Sequence, residues 1–534
     1  METRHFLLQN ATKTEYENAI NEIALILKSG GLVAVPTETV YGLAASALCE
    51  DAVKNIFTVK GRPQDNPLIV HVASPCDMEK YAASVPPLAK KAIEAFMPGP
   101  FTAILPKKSV IPSVTTAGMD SVAIRCPSHK IMHDIIDRLG EPIAAPSANL
   151  SGKPSPTDFS HCVNDLEGRV EGIVDGGASE VGVESTVVSF LTEKAVICRP
   201  GAVTFEMLCD VLGKDNVTDV SDEKTDKPIS PGMKYRHYSP SVPLYTVSGE
   251  GAADYIKQRA QNEKGIGFIG FSESKSEGAR FFDFGSVKKP REQLARLFAI
   301  LREADNEKES LSLLLCERPD KKGEGSAALN RLSRAASHKN IEIPVKMPKI
   351  IAITGKSGSG KSSVGSLAAK ELDFGYIDCD RVANEVIWSF APLTERIKEE
   401  FEVNGRSELS KKVFANKDLL LRLNFLSLPV VISEIDRLIF ELVKSGKRGV
   451  IVDGATVIES GFSRRADKTV FIKADKDTAI SRIMKRDGIE KDAALARINA
   501  QKLDGFYGEA SDVTVENNGA VSDAVAALIA EIGL

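Results

Sequence analysis

Residues 355–362 read GKSGSGKS, a string that could hold the phosphates of a nucleotide. The apolar run 350–353 before it predicts a buried strand, and residues 364–372 after it predict a helix. In that setting the glycines let successive backbone N–H groups point at phosphate oxygens, and the helix N-terminus adds favourable partial charge. Lys361 would reach the outer phosphates, and Ser362 would bind the magnesium ion of the nucleotide. The predicted contacts are Gly358, Ser359, Gly360, Lys361, Ser362 and Ser363.

Two groups of charged side chains lie downstream of this loop. Asp378 and Asp380 are two positions apart, and on a strand this spacing places both carboxylates on one face. One carboxylate could accept a hydroxyl proton from a second substrate and help to position magnesium. Two solvent-facing acids at a strand end are the alternative. Arg482 and Arg486 share a helix face that could clamp phosphates, although by spacing alone a solvated basic face fits better.

Short polar strings follow apolar runs in the first 203 residues: PTETVYGL at 36–43, KGRPQDNPL at 60–68, PGPFT at 98–102, PSANLSG at 146–152, GVEST at 182–186 and RPG at 199–201. Hydroxyl, amide and basic residues at strand ends form a polar site on a rigid sheet, where a phosphate or a carboxylate could bind. Lys60 and Arg62 alternate along a segment that reads as extended, so both could face one anion. Turns use the same residue types for backbone reasons, so each string alone is weak evidence.

The elements that would position these residues alternate between helix and strand, which predicts an α/β protein of several domains. In the first domain we expect a helix over 15–30 and strands at 32–35, 68–72, 102–105, 121–125, 142–145 and 185–189. In a smaller domain we expect strands at 244–247, 267–270 and 311–315 and helices at 252–260, 290–303 and 325–336. The expected boundaries are a first domain over 1–203, a polar linker over 204–243, a small α/β domain over 244–343 and a phosphate-loop domain over 344–534.

Composition excludes several classes of protein. The chain has 534 residues, 43% hydrophobic and 26% charged, with a formal net charge of −5, so there is no global attraction to nucleic acid or anionic membrane. No apolar run approaches the roughly 20 residues of a membrane span, and the N-terminus resembles neither a signal nor a transit peptide. The eight cysteines are scattered singly, which argues against disulfides and zinc sites. A cytoplasmic protein without a tightly bound cofactor is expected.

Taken together and in this order, the polar strings of residues 10–203 resemble threonylcarbamoyl-AMP synthase, whose catalytic module is a YrdC-like twisted α/β domain. The resemblance continues through SPGMKYRHYSP at 230–240 and a small Rossmann-like accessory domain ending in GEGSAALNRLSRAA at 323–336. It implies that L-threonine, bicarbonate and ATP give threonylcarbamoyl-AMP and pyrophosphate, with Mg2+ on the ATP. Transfer proteins would then carry the threonylcarbamoyl group to tRNA, as threonylcarbamoyladenosine.

The resemblance also implies roles for individual residues. Lys60 and Arg62 would serve catalysis, and Arg125 would bind the threonine carboxylate bidentately. The implied threonine pocket is lined by Thr39, His71, Arg125, Ala145 and Ser185. The implied ATP contacts are Arg62, Asn66, Ser121, Ser147, Asn149, Ser155, Arg199 and, from the linker, Tyr235. A core histidine is the alternative for His71, and a double-stranded RNA-binding module is the alternative for the domain, although the sequence carries no strong nucleic-acid signal.

Residues 349–534 resemble dephospho-CoA kinase, a P-loop kinase with a parallel sheet. The matching strings are TGKSGSGKSS, IDCD, the pattern over 406–414, VIESG at 457–461, SRIMKRD, ARINAQ at 496–501 and ASDVTVENNG at 510–519. The resemblance implies transfer of the ATP γ-phosphate to the ribose 3′-hydroxyl of dephospho-CoA. Asp380 would be the general base, beside Lys361, and Arg482 or Arg486 would be a lid residue.

This second match has departures on the acceptor side. Lys356 and Ser357 replace a glycine and an aliphatic residue, Leu428-Pro429 replaces a histidine-proline pair, and 453–456 read DGAT where the family has proline-leucine-leucine. The domain contains no histidine. A different small-molecule kinase or a nucleotide-binding regulatory domain therefore stays open for the rear half.

Overall fold

The computed structural model describes residues 1–220 and 239–533. The chain forms two compact units. The first comprises Met1–Pro240, Phe268–Lys308 and Cys316–Lys339. The second comprises Ser241–Gly267, Glu309–Leu315 and Asn340–Leu534. The small α/β segment expected over 244–343 is thus divided between the two units.

The first unit contains an eleven-stranded mixed sheet in the order β1-β8-β2-β3-β7-β4-β6-β5-β9-β10-β11. Its strands are β1 (Arg4–Leu7), β2 (Val33–Val35), β3 (Gly42–Ser46), β4 (Ile69–His71), β5 (Phe101–Pro106), β6 (Ser121–Arg125), β7 (Ile143–Ala144), β8 (Gly172–Asp175), β9 (Thr186–Ser189), β10 (Ala195–Arg199) and β11 (Val217–Asp219). Its first helices are α1 (Lys13–Lys28), α2 (Glu50–Lys60), α3 (Met78–Tyr81), α4 (Pro87–Phe96), α5 (Lys130–Leu139), α6 (Phe159–Leu166) and α7 (Phe205–Leu212).

This sheet is covered by apolar side chains on both faces, because alternate residues of a strand point to opposite sides. Val33 and Val35 of β2 pack in a cluster with α1 and α5, whereas Ala34 packs in the cluster that contains α2. Helix α1 begins at a capping box in which Thr12 and Glu15 satisfy each other's backbone N–H groups. A sheet buried on both sides is a rigid support for the polar loops that follow its strands.

A second sheet has five strands in the order β14-β13-β15-β12-β16. These strands are β12 (Leu244–Ser248), β13 (Ile266–Gly270), β14 (Arg280–Asp283), β15 (Leu313–Glu317) and β16 (Asn340–Glu342). The helices between them are α8 (Ala252–Asn262), α9 (Pro290–Asn306) and α10 (Gly325–Ala335). Helices α9 and α10 belong to the first unit, and α8 belongs to the second.

The second unit contains a five-stranded parallel sheet in the order β18-β19-β17-β20-β21. Its strands are β17 (Lys349–Thr354), β18 (Gly375–Asp378), β19 (Gly449–Asp453), β20 (Lys468–Lys473) and β21 (Val513–Glu516). Its helices are α11 (Lys361–Glu371), α12 (Cys379–Ser389), α13 (Ala391–Phe401), α14 (Arg406–Ala415), α15 (Lys417–Lys444), α16 (Lys476–Asp487), α17 (Lys491–Asn499), α18 (Asp504–Glu509) and α19 (Val521–Ile532). The predicted strand, glycine loop and helix are β17, residues 355–360 and α11, so the phosphate loop lies at the carboxyl end of a central strand.

Two local expectations were wrong, and the predicted linker contains ordered elements at its start. Lys60 and Arg62 do not share an extended segment, because Lys60 ends α2 and Gly61 adopts the left-handed conformation (φ +60°) that closes the helix. Asp378 and Asp380 do not share a strand face, because Asp378 caps α12 and Asp380 lies in its first turn. The linker expected from 204 begins with ordered elements: α7, and β11, which pairs in parallel with β10.

Within the described residues, no helix is long and apolar enough to cross a membrane. Over the same residues there is no group of three or more His, Cys, Asp or Glu side chains that could hold a metal ion. All eight cysteines are free, and five of them are buried. The five buried cysteines pack as small residues in the interior.

Candidate active sites

The first unit has a polar cleft at the loops that follow its strands. Thr39, His71, Arg125, Ala145 and Ser185, the five residues of the predicted threonine pocket, all line it. So do five of the predicted ATP contacts, namely Arg62, Ser147, Asn149, Ser155 and Arg199. Lys60, Asn66 and Ser121 are buried but do not line the cleft, and Tyr235 lies outside the described residues.

Arg125, at the end of β6, is held by a partner that the sequence did not indicate. Its Nη2 lies 2.7 Å from Oε1 of Glu38, both side chains are buried, and its Nη1 donates to Thr39 Oγ1 at 2.8 Å. Burial raises the pKa of Glu38, but the Arg125 charge outweighs this effect, so the pKa lies below its ordinary value. The guanidinium is therefore fixed in the cleft by an ionised carboxylate and a hydroxyl. Glu38 lies within the string PTETVYGL at 36–43, but its spacing from Arg125 in the sequence does not indicate the pair.

His71, at the end of β4, is a buried neutral histidine on the same cleft. Its Nδ1 lies 3.1 Å from the carbonyl oxygen of Ile69, which can only accept, so Nδ1 carries the proton. Burial, and secondarily the Arg125 charge, lowers the pKa of His71 to about 3. The backbone of Ile143 also bonds to the ring, and in a neutral imidazole the nitrogen that carries no proton can accept a hydrogen bond. A substrate ammonium or hydroxyl is a suitable donor for that nitrogen.

The loop after β7 is shaped by Lys60 and Asn149. The Nζ of Lys60 donates to the carbonyl oxygens of Ser147 and Asn149. The Asn149 side chain accepts from Ser147 Oγ at 2.5 Å and donates to the carbonyls of Leu150 and Lys153. Burial, with a contribution from the Arg62 charge, holds the pKa of Lys60 well below its ordinary value. Lys60 therefore supports the cleft wall from behind.

Glu184 links the cleft to helix α10. The helix itself was predicted from the sequence, but its contact with Glu184 was not. Its Oε1 accepts from Ser155 Oγ at 2.5 Å, and its Oε2 accepts from Arg331 Nε at 2.9 Å. Both Glu184 and Ser155 line the cleft, whereas Arg331 is fully buried behind them. Burial raises the pKa of Glu184, but the charges of Arg331 and Arg199 outweigh that effect and lower it. The carboxylate is therefore ionised and oriented by α10.

Helix α9 holds the opposite side of the same loop. Arg302 Nη2 donates to the carbonyl oxygen of Pro154 at 2.6 Å and to Asp165 Oδ2 at 2.8 Å. Asp165 also accepts from Lys153 Nζ at 2.9 Å, so Lys153 and Pro154 are both held by this group. Gly182 comes so close to α9 that an added Cβ would lie 2.4 Å from the Cα of Ala295. Helices α9 and α10 thus support the loops that carry Ser155 and Glu184.

In the second unit the phosphate loop is fixed by groups from β21 and α16. Gly358 and Gly360 adopt left-handed conformations (φ +81° and +84°), and an added Cβ at Gly358 would lie 2.5 Å from the Ala479 carbonyl oxygen. The carbonyl oxygen of Ser359 accepts from Asn517 Nδ2 at 2.7 Å and from Arg482 Nη1 at 3.3 Å. Arg482 therefore contacts the loop backbone itself.

Arg486 stands further out on α16. Its Nη2 lies 3.5 Å from Ser357 Oγ, and it is paired with Asp487. A cavity of about 430 Å³ lies beside this part of the loop, lined by Lys356, Ser357, Ser359 and residues of α16 to α18. Lys356 and Ser357 depart from the family pattern. The Nζ of Lys356 lies 2.5 Å from Asp504 Oδ1, and the backbone N–H of Ser357 donates to Gln501 Oε1 at 2.9 Å. The departure is thus accommodated by partners from the C-terminal helices.

Asp453, at the end of β19, is a site residue that the sequence reading did not propose. Tyr376 donates to its Oδ2 at 2.8 Å, and Ser362 also bonds to its side chain. Burial raises its pKa, whereas the Lys361 charge and these hydrogen bonds oppose the rise. A carboxylate after an apolar strand, next to the phosphate-loop lysine and serine and opposite Asp378 of β18, is suited to binding the water shell of a nucleotide-bound Mg2+. The run GVIVD was the available signal.

A larger cavity of about 560 Å³ lies beside Asp380. It is lined by residues of α12, α14 and α15 and by the loop after β19, including Asp380, Trp388, Arg406, Asn424, Leu428 and Glu459. Leu428, which stands where the family has histidine, lies in this wall, and Pro429 lies inside α15. The wall combines the carboxylates of Asp380 and Glu459 with a large apolar surface.

Three comparisons with known proteins bear on these sites. Family models described as "Telomere recombination", "Threonylcarbamoyl-AMP synthase, C-terminal domain" and "Dephospho-CoA kinase" match residues 25–201, 203–337 and 349–523. The threonylcarbamoyl-AMP synthase of Pyrococcus abyssi (strain GE5 / Orsay) is 40% identical over 347 residues, which cover 63% of this chain and 99% of that relative. The chain belongs to the threonylcarbamoyl-AMP synthase family.

A solved structure supports the same assignment. The crystal structure of P. abyssi Sua5 complexed with L-threonine is 39% identical, with a TM-score of 0.59, and the match covers 64% of this chain and all of that one. The threonylcarbamoyl-AMP synthase segment of this chain carries the cleft described above. The α/β fold and the synthase assignment made from the polar strings are therefore confirmed.

The rear segment belongs to a second family. The dephospho-CoA kinase of Carboxydothermus hydrogenoformans is 32% identical over 180 residues, which cover 32% of this chain and 87% of that relative. The chain is thus an enzyme that joins a nucleotidyltransferase of the threonylcarbamoyl-AMP synthase family to a member of the dephospho-CoA kinase family. The parallel sheet expected for the kinase segment is confirmed.

Proposed function

We propose that the cleft of the first unit binds L-threonine and ATP side by side and joins threonine, bicarbonate and the AMP part of ATP, releasing pyrophosphate. Thr39, His71, Arg125, Ala145 and Ser185 would hold threonine. Arg62, Ser147, Asn149, Ser155 and Arg199 would hold ATP, with Lys60, Asn66 and Ser121 behind the wall. The observation that carries the proposal is the buried group of Arg125, Glu38 and neutral His71 beside the basic half of the cleft. Contact of Tyr235 with ATP stays a prediction.

The chemistry follows from the charges of the cleft. Arg125 supplies N–H donors for the threonine carboxylate, and His71 Nε2 accepts from the threonine amine or hydroxyl. The amine nitrogen, after losing a proton, bonds to the carbon of bicarbonate, with loss of water. A carbamate oxygen then attacks the α-phosphorus, and the bond from that phosphorus to the bridging oxygen breaks, so pyrophosphate leaves. Arg62 and Arg199 would stabilise the charge that develops on the phosphates.

We further propose that the rear segment transfers the ATP γ-phosphate to the 3′-hydroxyl of dephospho-CoA. Lys361 and the loop N–H groups would hold the phosphates, Ser362 and Asp453 would hold Mg2+, and Asp380 would take the hydroxyl proton. Bound Mg2+ would offset the negative charge of the β- and γ-phosphates. Arg482 would fix the loop, and Arg486 would approach the nucleotide from α16. The support for this acceptor is the cavity on the Asp380 side of the loop together with the family match.

The domain boundaries are proposed with one change from the sequence reading. The synthase catalytic domain would extend to Asp219, because β11 pairs with β10 in its sheet. A linker would follow, then the small α/β segment over 244–343 and the kinase over 344–534. The transfer proteins that carry the threonylcarbamoyl group to tRNA remain proposed partners of the whole enzyme.

Nucleotide product analysis of the full chain with ATP and magnesium tests both activities separately. L-threonine with bicarbonate should release pyrophosphate, and Lys60→Ala should lower that rate whereas Lys54→Ala, on an exposed turn of the same helix, should not. Dephospho-CoA should yield ADP and CoA, and Lys361→Ala should abolish this reaction whereas Lys370→Ala, exposed on α11, should not. Absence of ADP with dephospho-CoA, while pyrophosphate still forms, would refute the kinase proposal and favour another acceptor.

A further inference from the structure

Helix α15 of the kinase segment has two buried faces. Residues four positions apart, namely Ser427, Val431 and Ile435, line the cavity of about 560 Å³ beside Asp380, which is the acceptor cavity of the proposed kinase. A second set at similar spacing, Pro429, Ser433 and Asp436, lies nearly on the opposite side of the helix. That second face meets residues of the segment matched by the synthase C-terminal domain model.

The contact is polar and deeply buried. Arg259 of α8 donates through Nη1 to Ser433 Oγ and Asp436 Oδ2, each at 3.2 Å, and through Nη2 to the Pro429 carbonyl oxygen at 3.2 Å. Its own helix supplies a further partner, Glu263, so the guanidinium is satisfied on several sides. The Arg259 side chain is 4% exposed and that of Asp436 is 3% exposed. Charges this deeply buried are strongly orienting because neither can be left unpaired without a large cost.

Asp436 also contacts the loop after β19, through Arg465. Its Oδ2 accepts from Arg465 Nη2 at 2.7 Å, and also from the hydroxyl of Tyr255 in α8. Arg465 in turn lies over the ring of Phe462, with its Cζ 5.7 Å from the ring centroid. Phe462 is 1% exposed and lines the acceptor cavity. One carboxylate thus joins a helix of the synthase segment to the wall of the kinase acceptor cavity.

Further contacts come from the same segment. Tyr245 of β12 donates to Glu434 Oε2 at 2.9 Å, and its ring packs on Phe390. Gly265 approaches α15 so closely that an added Cβ would lie 2.6 Å from a ring carbon of Phe425. The acceptor-side helix is therefore held along its length by residues that precede the kinase segment in the chain.

We propose that Arg259 is a positioning residue for the phosphate acceptor: through Asp436 and Arg465 it fixes α15 and the loop carrying Glu459 and Phe462, so the synthase C-terminal segment completes the kinase acceptor site. The role in turnover rests on the proposed kinase function. The geometric part does not, since it concerns only the order of the cavity wall. Loss of Arg259 leaves Asp436 with Arg465 and Tyr255 alone and lets the cavity wall move.

The single tryptophan of the chain provides a direct measurement. Trp388 lines the acceptor cavity and is partly exposed, so acrylamide quenching of its fluorescence reports on the order of that wall without any catalysis. Full-length Arg259→Met and Asp436→Asn should both show a larger quenching constant than wild type. Lys257→Met removes a charge from the same helix, where Lys257 lies 4.0 Å from the exposed Asp254, and should leave quenching unchanged.

Kinetics supply the second readout. Arg259→Met should raise the KM for dephospho-CoA by about tenfold, because small displacements of a positioned wall are costly, while the KM for ATP and pyrophosphate formation by the synthase stay at wild-type values. Arg259→Lys should restore part of the effect. Unchanged quenching and unchanged acceptor KM in Arg259→Met would overturn the proposal. So would an equal rise in both KM values, or a loss of synthase activity in both Arg259→Met and Asp436→Asn, because each points to general destabilisation. If wild type phosphorylates no dephospho-CoA, the kinase proposal fails and quenching alone decides.

Discussion

Replacing Arg331 by methionine should weaken ATP binding by the synthase far more than threonine binding. Arg331 does not line the cleft, but it fixes Glu184, which in turn fixes Ser155 on the proposed ATP side. Arg125 and His71 of the threonine half are held by other partners, namely Glu38, Thr39 and the Ile69 carbonyl oxygen. The substitution therefore acts first on the ATP half of the site.

The magnitude follows from burial. Side-chain exposure is 0% for Arg331 and 9% for Glu184, so the variant leaves a carboxylate buried without its main counter-ion. Removing one partner of such a pair typically costs 3–5 kcal/mol, and because Arg199 and Ser155 remain we expect a local loss of about 3 kcal/mol. If roughly half of that loss reaches the ATP site, the KM for ATP rises at least about tenfold, equivalent to ~1.4 kcal/mol.

The assay is pyrophosphate release at varied ATP, with threonine binding measured separately by calorimetry. Hydrogen exchange of residues 181–186 should accelerate in Arg331→Met. The double variant Arg331→Met/Glu184→Gln should recover part of the loss, because a neutral amide needs no counter-ion. Arg296→Met, on α9, breaks an exposed pair with Asp283 and should cost no more than about 1 kcal/mol. An ATP KM that stays at its wild-type value in Arg331→Met would refute the reasoning.

The same pair has a defined pH dependence. Because the folded pKa of Glu184 lies below its ordinary value of 4.5, its ionisation contributes stability that is fully present above that value. This contribution is lost as the pH falls through the folded pKa. The stability difference between wild type and Arg331→Met should therefore be full at neutral pH and shrink below 4.5.

Three further predictions concern single residues. Because Lys60 Nζ holds the carbonyl oxygens of Ser147 and Asn149 in the cleft wall, Lys60→Met should raise the KM for ATP, measured by pyrophosphate release at varied ATP. Since the pKa of His71 is lowered to about 3, pyrophosphate release should show no ionisation of His71 between pH 5 and 8, and His71→Gln should leave the shape of the pH profile unchanged. Asp453→Asn should raise the magnesium concentration needed for half-maximal ADP formation by about tenfold or more. The magnesium dependence of pyrophosphate release should not change. An unchanged magnesium requirement for ADP formation would exclude Asp453 from the metal site.

Local patterns carried much of the fold. The phosphate loop between β17 and α11 was predictable because its glycines, its preceding apolar run and its following helix lie within one short stretch. Strands such as β6 and β12 were predictable because alternating or continuous apolar residues end at polar strings. The same local reading failed at 376–380, where an aspartate can either end a strand or cap a helix, and here Asp378 caps α12.

The supports of the sites were not predictable from local patterns. Arg331 and Glu184 are 147 positions apart, and Arg259 and Asp436 are 177 positions apart. Each arginine alone reads as one more charge on an amphipathic helix, and only the tertiary fold brings it to its carboxylate. Pro429 also misleads in isolation, because proline usually ends a helix, whereas α15 continues from Lys417 to Lys444 through it.

The segment between the synthase catalytic domain and the kinase is more than a linker, because it contacts residues of both. The synthase C-terminal segment contributes α9 and α10 to the ATP half of the synthase cleft and α8 to the acceptor-side helix of the kinase, each through a buried arginine. In each buried pair, removing either the arginine or the carboxylate leaves the other charge unpaired and destabilises the fold. Separating the kinase segment at its start would leave Asp436 and Glu434 facing water beside an apolar cavity wall, without Arg259 and Tyr245. Helix α15 is thus covered on its second face by residues of the segment that precedes the kinase.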